Sequence, residues 1–194
     1  MQLREKVHLR NPVSYRCHDL TANEVEAARD AIELAPVAIK DYNKKALEKL
    51  LTVVEKNKVT EIVVTRMEPN CYGSHGHQGN SGSIQINGRL AWHKSGTYST
   101  VAMGESPIEV IQLALVHEIG HFLARRYESQ VFGELEPELN GPNGERKGVT
   151  EYARECTGEY FSETLVAVTL LPKLRMHDRG GFDAVLRLLE SWAE

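Results

Sequence analysis

Two histidines and a glutamate near the middle of the chain have a spacing that supports metal-dependent hydrolysis. Residues 117–121 read HEIGH, an H-E-x-x-H motif, and residues four apart on a helix project from one face. His117 and His121 are therefore expected to bind one ion, and zinc is the metal that this ligand spacing favours. Glu118 points to the side of the pair, where its carboxylate can act on a water as general base.

A long buried helix is predicted to carry this motif. Ser106 and Pro107 form a helix start signal, which Glu109 extends to a capping box. From Val110 to Arg126 apolar residues occur on nearly every side, which is typical of a helix in the middle of a domain. Burying two histidines and a glutamate without a partner is costly, so the context favours a metal site over a chance occurrence of the motif.

A catalytic zinc site needs a third protein ligand and an open position for water. The metzincin continuation is excluded, because Ala124 and Tyr127 stand where that class has glycine and histidine. His177 is a candidate ligand, although its surroundings indicate an exposed turn. Glu159 and Glu163 are four apart on a second predicted helix, so Glu159 can bind the ion while Glu163 accepts the other ring N–H of a ligand histidine. An ordinary solvated face is the alternative for this pair.

Two stretches carry a resemblance to known enzymes. Residues 115–123, LVHEIGHFL, and residues 159–163, EYFSE, are similar to segments of the gluzincin metallopeptidases, especially the anthrax lethal factor-like and ImmA/IrrE-like peptidases. The resemblance implies that Glu159 is the third ligand and that Tyr152 is the catalytic tyrosine that stabilises the oxyanion. Tyr152 could instead be a core tyrosine, in which case Tyr160 or His93 would be the alternative donor to the oxyanion. The similar region extends from about Val110 to Pro172.

The chain is expected to form a single domain over residues 1–194, since its length and composition suit one core. Its predicted fold is α+β and zincin-like. N-terminal helices and a small mixed sheet, with an edge strand packed on the buried H-E-x-x-H helix, precede a C-terminal helical part that carries the third ligand. The strand Ser83–Asn87 is expected to resemble the edge strand on which zinc peptidases pair extended substrates.

Helices and strands are predicted from periodicity, capping residues and β-branched content. The predicted helices are one that begins near Thr21 and is interrupted by Pro36, one through Ala46–Val54, one over Gly158–Leu171 closed by Pro172, and one over Phe182–Trp192. The predicted strands are Val59–Arg66, Ser83–Asn87 and a short Leu90–His93, while residues 94–104 stay open between loop and strand.

Two segments are predicted to lack regular structure. Asn70–Gly82 is crowded with Gly, Asn, Ser and His and indicates a surface loop. Cys71, His75 and His77 within it could form a second metal site, but the absence of a fourth nearby ligand favours a polar loop at the substrate rim. Glu134–Lys147, with its acidic residues, prolines and glycines, indicates a mobile surface connection.

Composition excludes several classes of partner. The 23 Lys and Arg against 27 Asp and Glu give a net charge of −4 without a basic cluster, so nucleic acid and anionic membranes are not expected partners. The 3 widely spaced cysteines favour reduced thiols. A charged N-terminus and the lack of a long apolar run predict a cytoplasmic protein, with release as a toxin or virion component left open. The oligomeric state is not indicated.

The sequence as a whole therefore predicts a zinc-dependent endopeptidase that uses one zinc ion and acts on a selected protein or peptide substrate. A zinc-stabilised binding or virion-structural domain without catalysis is the alternative from another class. Hydrolysis of a non-peptide amide is a third interpretation, because it would use the same chemistry at the metal. Glu118 favours catalysis, since a purely structural site needs no general base.

Overall fold

The computed structural model describes residues 14–18, 37–65, 67–68, 71, 73–78, 81–87 and 99–194. These residues form a mixed α+β structure, as expected. Its strands are β1 Ser14–His18, β2 Val59–Thr65, β3 Gly73–Gln78 and β4 Ser81–Asn87. Its helices are α1 Lys44–Lys56, α2 Pro107–Arg126, α3 Glu128–Asn140, α4 Thr157–Thr169 and α5 Arg179–Ala193, with short 3-10 helices at Val101–Met103, Tyr152–Arg154 and Pro172–Met176.

The sheet is mixed, and its strand order is β1-β2-β4-β3. The strands β1, β2 and β4 are parallel, while β3 runs antiparallel to β4. The expectation that Ser83–Asn87 forms the edge strand was wrong, because β4 lies between β2 and β3. Among the described strands, β3 takes the outer position beside it.

The prediction that Asn70–Gly82 is a surface loop was also wrong, because β3 lies within it. Its residues, GSHGHQ, are poor strand formers. Backbone hydrogen bonds with β4 stabilise the strand despite this composition. The strand β3 pairs with β4 along its length, from Gly73 opposite Ile86 to Gln78 opposite Ser81. Only two residues separate the strands, a length typical of hairpins.

One face of the sheet packs on α2. Ile84 and Ile86 of β4 are fully buried there. Gly82 lies so close to α2 that a Cβ at this position would collide with the Phe122 ring. The antiparallel β3–β4 pair is thereby held against the helix that carries the H-E-x-x-H motif.

The predicted start of α2 is confirmed. The Ser106 hydroxyl accepts a hydrogen bond from the Glu109 N–H at 3.3 Å, and Pro107 lies in the first turn. The Glu109 carboxylate differs from the expectation, since it accepts from the Glu105 N–H at 2.7 Å instead of turning back to Ser106. Nearly all of α2 from Val110 to Ala124 is buried, as its apolar residues on every side indicated.

The C-terminal half is helical. The predicted helices over Gly158–Leu171 and Phe182–Trp192 are confirmed as α4 and α5, and Val185, Leu189 and Trp192 of α5 are buried. The structure contradicts the mobile connection over Glu134–Lys147, because α3 extends to Asn140 with Pro137 inside it. Three buried apolar residues spaced by four hold α3 in place, and this packing outweighs the unfavourable proline; they are Val131, Leu135 and Leu139.

The predictions for α1 and β2 are confirmed, with α1 covering Ala46–Val54 and β2 beginning at Val59. The helix predicted near Thr21 and the short strand Leu90–His93 lie outside the described residues. No helix among the described residues is long and apolar enough to cross a membrane.

Candidate metal centre

Two helices supply the residues of the candidate site. His117 and His121 project from α2, and Glu159 projects from the first turn of α4. These two helices pack against each other in the core, and their side chains meet where Glu159 faces both imidazoles. In the part of the chain that the structure describes, this is the group of three whose ligand atoms are close enough to hold one metal ion.

The ligand atoms form a small triangle. His117 Nε2 and His121 Nε2 are 3.0 Å apart, and Glu159 Oε2 lies 3.3 Å from His117 Nε2 and 3.2 Å from His121 Nε2. Ligands at 2.0–2.1 Å from a tetrahedral zinc ion lie about 3.3 Å from one another. The three distances are therefore close to those that a single bound ion would set.

The surroundings of these atoms also fit a cation. His117 is buried, and Glu159 Oε2 is shielded from solvent without a well-aligned hydrogen-bond donor among the described residues. A buried carboxylate oxygen without such a donor is costly. Two nitrogen atoms and one anionic oxygen that converge in this way are a suitable donor set for a divalent transition metal.

In the metal-free cluster, the pKa values of His117 and Glu159 lie far from their ordinary values. Burial alone would lower the pKa of His117, but the contacts and charges of Glu159 and Glu163 outweigh it and raise the pKa to about 10. Burial alone would raise the pKa of Glu159, but the contacts with His117 and His121 outweigh it and lower the pKa to about 2. Without a metal, a proton on His117 therefore neutralises part of the negative charge at neutral pH.

Glu163 lies one helical turn after Glu159 and faces the other nitrogen of His117. Its Oε1 is 2.9 Å from His117 Nδ1, although the ring N–H is not well aligned with that oxygen. Glu163 is fully buried. Its carboxylate accepts hydrogen bonds from the Thr100 N–H and hydroxyl and from the Thr150 hydroxyl, at 2.7, 3.0 and 2.7 Å. These threonines hold the carboxylate in place beside His117 Nδ1.

Sequence reasoning missed both threonines. Thr100 lies in the stretch that was left open between loop and strand, and Thr150 lies 13 residues before its partner in the chain. Their pairing with Glu163 depends on the tertiary arrangement of three separate segments. The sequence offered one general indication of such partners, since a buried glutamate needs several hydrogen-bond donors.

Glu118 points towards β3. Its Oε2 lies 3.6 Å from His75 Nδ1, and the His75 ring stacks on His121 with centroids 5.4 Å apart and an interplanar angle of 15°. The structure thus brings His75 to the site, whereas sequence reasoning placed it in a polar loop. The Cys71 thiol donates a hydrogen bond to the Gly73 carbonyl at 3.2 Å. Burial and the charge of Glu118 raise the pKa of this thiol, and the hydrogen bond opposes them. The His77 side chain is outside the described part.

Tyr152 contacts His117, whereas His75 stacks on the other histidine of the pair, His121. The Tyr152 hydroxyl donates a hydrogen bond to Glu159 Oε1 at 3.2 Å, and the tyrosine ring stacks on His117 with centroids 6.1 Å apart. Burial and the charge of Glu159 raise the pKa of Tyr152 well above its ordinary value. The hydroxyl therefore keeps its proton at neutral pH and can donate a hydrogen bond to an anion.

The other candidate residues lie elsewhere or are not described. The Tyr160 hydroxyl is buried and donates to Asp178 Oδ2 at 2.6 Å, which occupies it in the core. His177 is exposed, as its sequence context indicated, and is not part of the three-residue group. His93 lies outside the described residues. Of the alternatives to Tyr152 that the structure describes, none is placed at the cluster.

No protein-family model, curated protein or solved structure matches the chain. The geometry of the site is therefore the observation that bears on function.

Proposed function

We propose that this protein is a zinc-dependent endopeptidase of the gluzincin type with a zincin-like fold. The observation that carries the proposal is the convergence of His117, His121 and Glu159 on one point, with the carboxylate of Glu118 on the same helix. The fit of their distances to a tetrahedral ion supports zinc over larger cations, which prefer oxygen ligands.

A zinc ion bound by these three residues would lower the pKa of a water molecule and polarise a carbonyl group. In the proposed reaction Glu118 accepts a proton from the attacking water and returns it to the leaving amine. Tyr152 donates a hydrogen bond to the oxygen of the scissile carbonyl as negative charge develops on it. Glu163 holds His117 with Nδ1 as its proton donor, which leaves Nε2 as the ligand atom.

An extended peptide is the substrate that the sheet suits best. Among the described strands, β3 has a partner on one side, and its residues Gly73 and His75 lie against Glu118. A peptide that adds to the outer side of β3 would form backbone hydrogen bonds and place its chain beside the general base. This arrangement supports cleavage within a chain, because the strand can pair with residues on both sides of the scissile bond.

The proposal is tested by metal analysis together with cleavage of a peptide library. Wild-type protein is expected to hold one zinc ion and to cleave a subset of peptides. Glu118→Gln is expected to keep the zinc and lose cleavage, whereas Glu159→Gln is expected to lose the zinc. Glu136→Gln, an exposed change on α3, is the matched control and should behave like wild type.

The outcomes separate the competing functions. Zinc content with no cleavage of peptides or proteins would contradict the peptidase and leave a zinc-stabilised binding domain or the hydrolysis of a non-peptide amide. Wild-type protein without metal would contradict the proposal completely. Cleavage of unfolded casein would show a broad peptidase, while intact casein beside cleaved library peptides would support a selected substrate.

A further inference from the structure

We propose that His75 is a positioning residue for Glu118, supplied by the outer strand of the sheet. This inference rests on the proposed function, since it assigns a role within the same hydrolysis. It concerns a residue that the H-E-x-x-H motif does not contain and that lies 43 positions before Glu118 in the chain.

Two residues of β3, Gly73 and His75, lie against the Glu118 carboxylate. Gly73 and His75 are two apart on the strand and therefore share a face. A Cβ on Gly73 would lie 2.6 Å from the Gln85 carbonyl oxygen, 2.6 Å from Glu118 Cγ and 2.9 Å from Glu118 Oε1. Glycine therefore suits both the backbone of β4 and the close approach of Glu118. His75 Nδ1 meets the other oxygen, Oε2, at 3.6 Å. Gly73 is thus close to one oxygen of the proposed base, and His75 faces the other.

The His75 ring is held in the orientation that this contact needs. It stacks nearly parallel on His121, with an interplanar angle of 15°. The Glu118 side chain is only 7% exposed, and a carboxylate so far removed from water needs a polar partner. The 3.6 Å separation is within ion-pair range and slightly longer than a direct hydrogen bond. Contacts of this kind commonly tighten when substrate binds.

The placement of His75 on β3 has a mechanistic consequence. Pairing of a peptide with the outer side of β3 would restrain the same strand that positions Glu118. Alignment of the base would then improve as substrate binds. Loss of the His75 contact is therefore expected to lower kcat while KM changes little, because the contact acts in the chemical step.

Two substitutions separate the contact of His75 with Glu118 from its stacking on His121. His75→Phe keeps a ring against His121 and removes Nδ1, while His75→Asn offers an amide N–H donor and removes the ring. We expect His75→Phe to retain zinc and to lower kcat by about 10–100-fold. His75→Asn should recover most of this loss. The control is Gln85→Ala, which removes a contact to Ser74 on the other face of the hairpin and should leave kcat unchanged.

A second measurement, the spectrum of the cobalt-loaded protein, does not depend on cleavage of a substrate. The visible spectrum of the Co(II)-loaded protein is recorded against pH for His75→Phe, for Glu118→Gln and for the double variant. If His75 acts through Glu118, His75→Phe shifts the pH midpoint of the spectral change in the parent protein. It should produce no shift in the Glu118→Gln background, because the charge that it positions is gone.

The possible results distinguish failure of the positioning role of His75 from failure of the proposed peptidase function. An equal shift in both backgrounds, or unchanged kcat and midpoint in His75→Phe, would overturn the positioning role while leaving the proposed peptidase intact. The expected spectral pattern in a protein that cleaves no peptide would overturn the proposed function and uphold the coupling of His75 to Glu118. A protein that takes up neither zinc nor cobalt would overturn both.

Discussion

Gly120 and Ser162 are in backbone contact where α2 crosses α4. A Cβ on Gly120 would lie 2.7 Å from Ser162 Cα and 2.8 Å from Ser162 Oγ, closer than real side chains approach. Gly120 lies between the two histidines of the motif, and Ser162 lies between Glu159 and Glu163. The absence of a side chain at one position therefore sets the distance between the imidazoles and both glutamates.

Replacement of Gly120 by alanine should force α2 and α4 apart. The obstructing Ser162 Cα belongs to the backbone and cannot rotate away, so we expect the free energy of unfolding to fall by about 1–3 kcal/mol. Metal affinity should fall with it, because the ligands come from both helices. Urea denaturation and a Co(II) titration measure the two effects.

The matched control is Gly133→Ala in the middle of α3. No described atom lies within 4 Å of the added Cβ, so this change should raise the free energy of unfolding by about 0.5–1 kcal/mol. Equal stability of the two alanine variants would contradict the close packing of α2 on α4.

Glu163→Gln should weaken both the fold and the metal site. The amide presents N–H groups where the carboxylate accepts hydrogen bonds from Thr100 and Thr150. We expect a loss of about 1–3 kcal/mol in the free energy of unfolding. Metal affinity should fall by about 10–100-fold, since His117 loses its anionic partner. Competition with a chromophoric chelator measures the affinity. Wild-type affinity in a folded Glu163→Gln protein would contradict this role.

Tyr152→Phe should separate metal binding from turnover. The change removes a hydroxyl that donates to Glu159 Oε1, which is not one of the three ligand atoms, so zinc content should stay at the wild-type level. If the hydroxyl stabilises the oxyanion, kcat falls by about 100–1000-fold. Zinc analysis and steady-state cleavage rates test both expectations.

Tyr160→Phe is the matched control for Tyr152→Phe. It removes the buried hydrogen bond to Asp178, so we expect a lower melting temperature with unchanged kcat for the folded protein. If Tyr160→Phe lowered kcat and Tyr152→Phe did not, the assignment of the oxyanion donor to Tyr152 would be wrong.

Metal binding should release a proton at neutral pH. The pKa of His117 is raised to about 10 in the metal-free cluster, so its ring is protonated at pH 7, and a metal must displace this proton to bind Nε2. Apparent affinity is therefore expected to rise as the pH increases towards the pKa and to fall as the pH decreases. Calorimetry of zinc binding in buffers with different ionisation enthalpies counts the protons released. A pH-independent affinity between pH 6 and pH 9 would contradict the raised pKa of His117.

Local features of the site could be predicted because they depend on neighbours in the chain. The four-residue spacing of His117 and His121 fixes their shared face on any helix. Ser106 and Pro107 mark the start of α2 through their own backbone preferences. The apolar residues around the motif indicate a buried helix without reference to its partners. These features follow from covalent geometry and short-range hydrogen bonding.

The tertiary structure decided which distant residues meet. The glycine-rich segment of β3 has low intrinsic strand preference, and only its hydrogen bonds with β4 make it a strand. Pro137 opposes a helix, and only the packing of α3 outweighs it. The contacts of Glu163 with Thr100 and of His75 with Glu118 join residues 63 and 43 positions apart. Such contacts arise from the packing of whole elements, because the burial energy of many residues is larger than the preference of any one.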